Sequence, residues 1–222
     1  MMSNSIVDVV LREKAIAIIR GVGFSECIKV AEALYAGGIR LMEVTFALNR
    51  PELFPETAQT IRSLARTFHG RAIIGAGTVT NPMLVDLAAD AGAAFIVSPD
   101  ANPEVIRHTK ARSLTSIPGA MTPTEILSAD AAGADFVKLF PAGELGTSYV
   151  KAILSPISHV RLLAVGGVGA DNAAAFLRAG VTGVGVGGNL VNKQWIAEGA
   201  FEKLTRAAEE LTAAVRDVSF II

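Results

Sequence analysis

Short apolar runs alternate along the whole chain with stretches whose apolar positions recur every three to four residues. The runs Ala15–Arg20, Arg40–Thr45, Ala72–Gly75, Phe95–Ser98, Leu114–Ile117, Phe136–Phe140, Leu162–Val165 and Gly183–Gly187 read as strands. They are rich in Val and Ile and continuous rather than alternating, as strands covered on both faces are. Between them Glu26–Ala36, Pro82–Ala91, Pro123–Ala132 and Asn172–Ala179 carry helical spacing, and Ala200–Val215 reads as the final helix. The start and stop signals agree with this pattern. Asn81-Pro82, Asn102-Pro103 and Thr122-Pro123 each put a capping side chain before a proline suited to a first helical turn. Gly37, Gly92, Gly133 and Gly180 each follow a last apolar turn, where a left-handed cap is wanted.

The pattern amounts to eight strand-then-helix units, echoed by the repeated Ala36-Gly37-Gly38, Ala91-Gly92-Ala93, Ala132-Gly133-Ala134 and Ala179-Gly180-Val181. No linker, charge run or low-complexity tract divides them, so residues 1–222 are expected to form one domain. The expected fold is a single (β/α)8 TIM barrel. An open doubly wound sheet is the alternative, but no fingerprint glycine loop follows the first strand.

Composition narrows the class. The chain is 51% hydrophobic and only 6% aromatic, so its core is built mostly from Ala, Val, Ile and Leu. A chain of 222 residues can bury about 70% of its unfolded surface without disulfide or metal staples. Its 20 basic and 21 acidic residues leave a net charge of −1 and form no basic stripe, which argues against a nucleic-acid partner. The single Cys27 forbids an internal disulfide and suits a reducing, cytoplasmic setting. Met1 to Asp8 lacks the pattern of a signal peptide, and no apolar run reaches the ~18 residues of a membrane span.

Barrel chemistry sits at the C-terminal ends of the strands. The first strand ends at Arg20, the second in Glu43-Val44-Thr45, the third in Gly75-Ala76-Gly77-Thr78 and the fourth in Ser98-Pro99. The fifth ends in Pro118-Gly119, the sixth contains Lys138, and the last two end in Gly166-Gly167 and Gly187-Gly188. Glu43 and Lys138 stand out as opposite charges inside apolar strands, where burial is costly without a partner or a job. A buried ion pair that fixes the barrel is one reading, and catalysis is the other. A desolvated lysine holds its proton weakly, and its free amine can attack a ketone to form an imine. The iminium then draws electrons from a neighbouring C–C bond, and a facing carboxylate can move the protons.

These motifs resemble a known family. Glu43-Val44-Thr45, Gly75-Ala76-Gly77-Thr78-Val79, Ile96-Val97-Ser98-Pro99, Met121-Thr122-Pro123-Thr124-Glu125, Val137-Lys138-Leu139-Phe140-Pro141 and Gly166-Gly167-Val168 look like the 2-keto-3-deoxy-6-phosphogluconate / 4-hydroxy-2-oxoglutarate aldolases. The resemblance runs in order from about Ala15 to about Val191. It implies a class I aldolase with Lys138 as Schiff-base lysine and Glu43 as general acid/base. It further implies that Arg20 clamps the pyruvate carboxylate, that Thr78 hydrogen-bonds the pyruvate moiety, and that Phe140 keeps the imine dry. Pro118 would line the cleft, and Gly166, Gly167, Gly187 and Gly188 would cradle phosphate. The implied substrate is a small 2-keto-3-deoxy sugar acid, phosphorylated and cleaved to pyruvate and glyceraldehyde 3-phosphate, and the implied assembly is a homotrimer. Neither a metal nor an organic cofactor is expected.

Three departures qualify that resemblance. Arg50 falls too late after the Glu43 motif to match the carboxylate-binding arginine of gluconate-type members, so Arg20 carries the clamp. Val165 stands where gluconate-type members have a threonine and resembles the galactonate branch. Gly188 stands where relatives carry a serine that touches phosphate, which keeps open an unphosphorylated acceptor such as glyoxylate. Other chemistries remain in play: an epimerase or isomerase using Glu43 without an imine, or a non-catalytic sensing barrel. Metal-dependent aldol chemistry would need clustered ligands. His69, His108 and His159 fall near helix ends and read as surface residues, Cys27 reads as a buried apolar residue, and Tyr149 and Trp195 read as packing.

Overall fold

A computed structural model describes residues 5–216 and 218. The chain opens with helix α1 (Ile6–Glu13) and strand β1 (Ala15–Ile19), followed by α2 (Phe24–Ala36) and β2 (Leu41–Thr45). A short 3-10 turn at Pro51–Leu53 leads into α3 (Phe54–Thr67), then β3 (Ile73–Gly77), α4 (Pro82–Asp90) and β4 (Phe95–Val97). Next come α5 (Pro103–Ala111), β5 (Thr115–Ile117), β6 (Gly119–Ala120) and α6 (Pro123–Ala131). The last third holds β7 (Val137–Leu139), α7 (Ala142–Leu154), β8 (Leu162–Val165), α8 (Ala173–Arg178), β9 (Gly183–Val186), α9 (Lys193–Ala197) and α10 (Phe201–Arg216).

Among the described residues all strand pairings are parallel, in the order β5-β4-β3-β2-β1-β9-β8-β7-β6. β5 and β6 are two halves of one barrel strand, bent at Pro118, which has no N–H to give a ladder. The first half pairs with β4 and the second with β7, so this bent strand closes the ring into the expected eight-stranded TIM barrel. The Lys138 N–H donates to the Pro118 carbonyl at 2.8 Å across the bend.

Two cores follow from the period of two along each strand. Ala15, Ala17 and Ile19 join Met42, Val44, Val137 and Leu139 in the outer core beneath the helices. Ile16, Ile18, Leu41, Phe95, Val97, Ile117, Phe136, Leu163 and Val165 fill the barrel interior. That interior is tapered by inward glycines. A Cβ on Gly75 would stand 2.4 Å from the Phe95 ring, and one on Gly185 2.9 Å from Val165. The large neighbours therefore occupy the volume the glycines vacate, as a packed barrel requires.

Several expectations need correction. Helix α1 was not foreseen; its Val9 and Val10 plug the barrel floor, and a Ser5–Asp8 capping box starts it. The third strand reaches Gly77 rather than ending at Gly75, and the helix expected at Asn172–Ala179 is the shorter α8. Gly37 is not the left-handed cap of α2, since its φ is −78° and Gly38 takes the positive angle at 95°. Gly37 is small for another reason: a Cβ there would lie 2.4 Å from the Ala208 Cβ and 2.5 Å from the Thr205 carbonyl on α10. The other three stop glycines have positive φ, and Asn81, Asn102 and Thr122 cap their helices as expected. Among the described residues no helix is long and apolar enough to cross a membrane.

Candidate active site

Glu43 and Lys138 face the same interior because of strand parity. Glu43 sits two residues after inward Leu41 on β2, and Lys138, in the middle of β7, two residues after inward Phe136 just before that strand. They are 2% and 6% exposed, and both line a narrow gap walled by Ile18, Val97, Ile117 and Val165. Room for the carboxylate comes from Gly77, whose Cβ would stand 2.6 Å from Glu43 Oε1. Neither side chain is hydrogen-bonded to any described residue, and no ion pair within 4.0 Å joins them. The Lys138 Nζ lies 5.1 Å from the centre of the Phe140 ring, which is itself 44% exposed.

The energetics decide the charge state. Holding an ion in the interior costs several kcal/mol unless hydrogen bonds compensate, and here they do not. Burial accordingly pushes the Lys138 ammonium below the usual lysine range; Glu43 opposes this shift and Arg20 adds to it. Burial pushes the Glu43 carboxyl above the carboxylate range, against the pull of Lys138 and Arg20. Both shifts run toward the neutral forms, so the amine is freed and the carboxyl takes up a proton more readily than either would in water, as an imine reaction requires.

Arg20 and Thr78 form the rim. Arg20 is exposed just beyond β1, and its Nη2 donates to Thr78 Oγ1 at 3.5 Å. Thr78 has φ of 60°, a conformation a β-branched residue adopts only under constraint from its surroundings. A cavity of about 630 Å3 is lined by Arg20, Thr45, Asn49, Arg50 and Thr78. Arg50 pairs with Glu52 at 3.3 Å and does not join the Lys138–Glu43 gap. Pro118 is buried at the bend of the fifth barrel strand, its carbonyl engaged by Lys138.

The glycine pairs stand at the ends of β8 and β9. Gly166 and Gly167 have φ of 86° and 70°, and a Cβ on Gly166 would lie 2.9 Å from the Phe140 ring. The N–H groups of Gly166, Gly167 and Gly188 find no acceptor among the described residues, which leaves them free to meet an anion. The Gly187 carbonyl accepts from Leu190 and Val191, closing a tight turn, and Gly188 is exposed with open space where a side chain would go.

Sequence reasoning missed two glycines that shape this site. Gly77 makes room for Glu43. Gly143, at the start of α7, donates to the Gly166 carbonyl at 2.7 Å, and a Cβ on it would lie 2.7 Å from the Gly167 Cα. Gly75 and Gly77, spaced by two on a strand, were a readable sign of an inward face needing room. Nothing local marks Gly143. The histidines stay apart: His108 contacts Asp86 at 2.9 Å and His159 approaches Asp130 at 3.6 Å, both away from the mouth. Cys27 is fully buried with its thiol pushed up to about 12, and the Tyr149 hydroxyl donates to the Met121 carbonyl.

Comparison with known proteins shows which family the chain resembles over most of its length. Residues 6–207 match the family model described as KDPG and KHG aldolase. The chain is 34% identical over 202 residues to the 2-dehydro-3-deoxy-6-phosphogalactonate aldolase of Escherichia coli K12, covering 90% of this chain and 92% of that relative. A solved structure described as native KDPGal superposes with a TM-score of 0.82 at 33% identity, covering 91% of this chain and 94% of the other. KDPG aldolase from Legionella pneumophila, solved with pyruvate captured as a covalent carbinolamine intermediate, also gives 0.82, at 27% identity over 92% of this chain and 97% of that one. The chain belongs to the KDPG and KHG aldolase family.

Proposed function

We propose that this chain is a class I aldolase cleaving a 2-keto-3-deoxy-6-phospho sugar acid to pyruvate and glyceraldehyde 3-phosphate. The observation that carries the reading is the buried Lys138, its proton weakly held, opposite a buried Glu43 on the inward face of the barrel. The Lys138 amine adds to the C2 ketone, and Glu43 gives the proton with which the carbinolamine hydroxyl leaves as water. Glu43 then takes the C4 hydroxyl proton. The C3–C4 bond breaks, its electron pair moves toward the iminium as an enamine, and the aldehyde departs. Protonation at C3 and hydrolysis free pyruvate and restore the amine.

Arg20 holds the substrate carboxylate in this reading, since a planar guanidinium suits a two-oxygen anion and Thr78 stands within reach of it. Phe140 shields the imine from one side, Pro118 fixes the strand carrying Lys138, and the free N–H groups at Gly166, Gly167 and Gly188 meet phosphate. Gly187 supplies the turn that presents Gly188. Val165, apolar and beside Lys138, makes no hydrogen bond to the sugar hydroxyls and favours the galactonate series. The missing hydroxyl at Gly188 supports a second substrate, 4-hydroxy-2-oxoglutarate, giving pyruvate and glyoxylate. We take the barrel as one domain over residues 1–222. Membership of the family supports a homotrimer, and the lone, buried Cys27 thiol supports a cytoplasmic setting.

Borohydride reduction in the presence of pyruvate tests the reading. A pyruvate-derived mass increase on the peptide bearing Lys138 is expected in the parent and is lost, together with cleavage, in Lys138→Ala. Turnover persisting in Lys138→Ala would mean that no imine is involved.

A further inference from the structure

A second cation stands beside Arg20 at the barrel mouth. A cavity of about 250 Å3 lies beyond the end of β9, walled by Ile18, Arg20, Gly188, Asn192, Lys193 and their neighbours. Lys193 is exposed, and its Nζ lies 3.1 Å from where a Cβ on Gly21 would stand, so it lies alongside the turn that follows Arg20. It forms no ion pair within 4.0 Å among the described residues. Glu26 is the carboxylate that shares the neighbouring cleft with Lys193, and it accepts a 2.7 Å hydrogen bond from the Ser25 hydroxyl instead.

The helix that follows cannot supply the charge. Its Asn192 cap takes the N–H groups of Gln194 and Trp195 at 2.9 and 3.3 Å, and α9 is only five residues long. With Arg20 assigned to the carboxylate, what this wall offers a second anion is the Lys193 ammonium and the free Gly188 N–H, around the open space at 188.

We propose that Lys193 is a specificity-determining residue whose ammonium binds the terminal phosphate monoester of the substrate beside the free Gly188 N–H. The proposal rests on the aldolase reading for its substrate but not for its chemistry. A phosphate monoester carries close to two negative charges at neutral pH, and a lysine meets it as a flexible point charge.

The test has a binding arm and a kinetic arm. Glycerol 3-phosphate, which cannot enter an aldol reaction, is titrated calorimetrically into the parent, Lys193→Met and Lys193→Arg. Lys193→Met should weaken binding about tenfold, and Lys193→Arg should keep most of it. In pyruvate addition, Lys193→Met should lower the preference for glyceraldehyde 3-phosphate over glyceraldehyde by a similar factor, through KM rather than kcat. Absence of glycerol 3-phosphate binding in the parent, equal binding in Lys193→Met, or a loss confined to kcat would each overturn the assignment. Pyruvate trapping on the parent reports separately on the aldolase reading. Lys193-dependent phosphate binding without trapping would sink that reading alone.

Discussion

At the scale of single residues, the site is governed by three charges that read one another. Burial drives the Lys138 pKa down from its ordinary 10.5, Glu43 pulls it back up, and Arg20 pushes it further down. Imine formation needs the free amine, so its rate should rise with pH and level off above the Lys138 pKa, at a midpoint below 10.5. Glu43→Gln removes a negative charge and should move that midpoint lower still, while Arg20→Met removes a positive charge and should move it higher. The pH dependence of borohydride trapping with pyruvate reads both shifts, and movement in the opposite senses would contradict the three-charge account. Glu43→Gln should also cut kcat for cleavage by roughly 10²–10⁴, the usual reach of a positioned acid/base.

At the scale of elements, glycines fall into two kinds that chain spacing does not separate. Gly38 sits at φ of 95°, so an alanine there is strained. Gly37 has an ordinary φ but touches α10 through the Thr205 carbonyl and Ala208. Gly38→Ala should cost about 1 kcal/mol from backbone conformation alone. Gly37→Ala must push two packed helices apart and should cost more, about 1–3 kcal/mol. Urea unfolding measures both. Equal costs would mean that the α2–α10 contact is looser than the structure has it. Neither residue is at the site, so kcat should survive in the folded protein.

At the scale of the whole molecule, the barrel brings the ends of β1, β8 and β9 to one rim, and that rim sets what kind of acceptor fits. Gly188 has no positive φ and has open space around it, so a serine fits without strain. Gly188→Ser should raise kcat/KM for glyceraldehyde 3-phosphate relative to glyceraldehyde by about tenfold, the worth of one hydrogen bond to a charged group. The comparison is made in the direction of pyruvate addition. A parent indifferent to the phosphate and an unchanged ratio in Gly188→Ser would point to a smaller acceptor such as glyoxylate.

The chain by itself determined its eight strand-and-helix units, three helix starts, three helix stops and the two ionisable residues within apolar strands. These are local properties: a helix period, a proline after a capping side chain, a charge where apolar residues should be. Continuous apolar strands hide their parity, so only the closed barrel decided that Glu43 and Lys138 face each other, with Leu41 and Phe136 below them. Only the tertiary structure showed why Gly37, Gly77 and Gly143 have no side chains, because the atoms that forbid one belong to distant segments. Helix α1 is not legible in the sequence because its two buried valines become meaningful only against a barrel floor. Lys193 carries no motif. Its place beside Arg20 exists because β1 and β9 are neighbours in the ring although they lie at opposite ends of the chain.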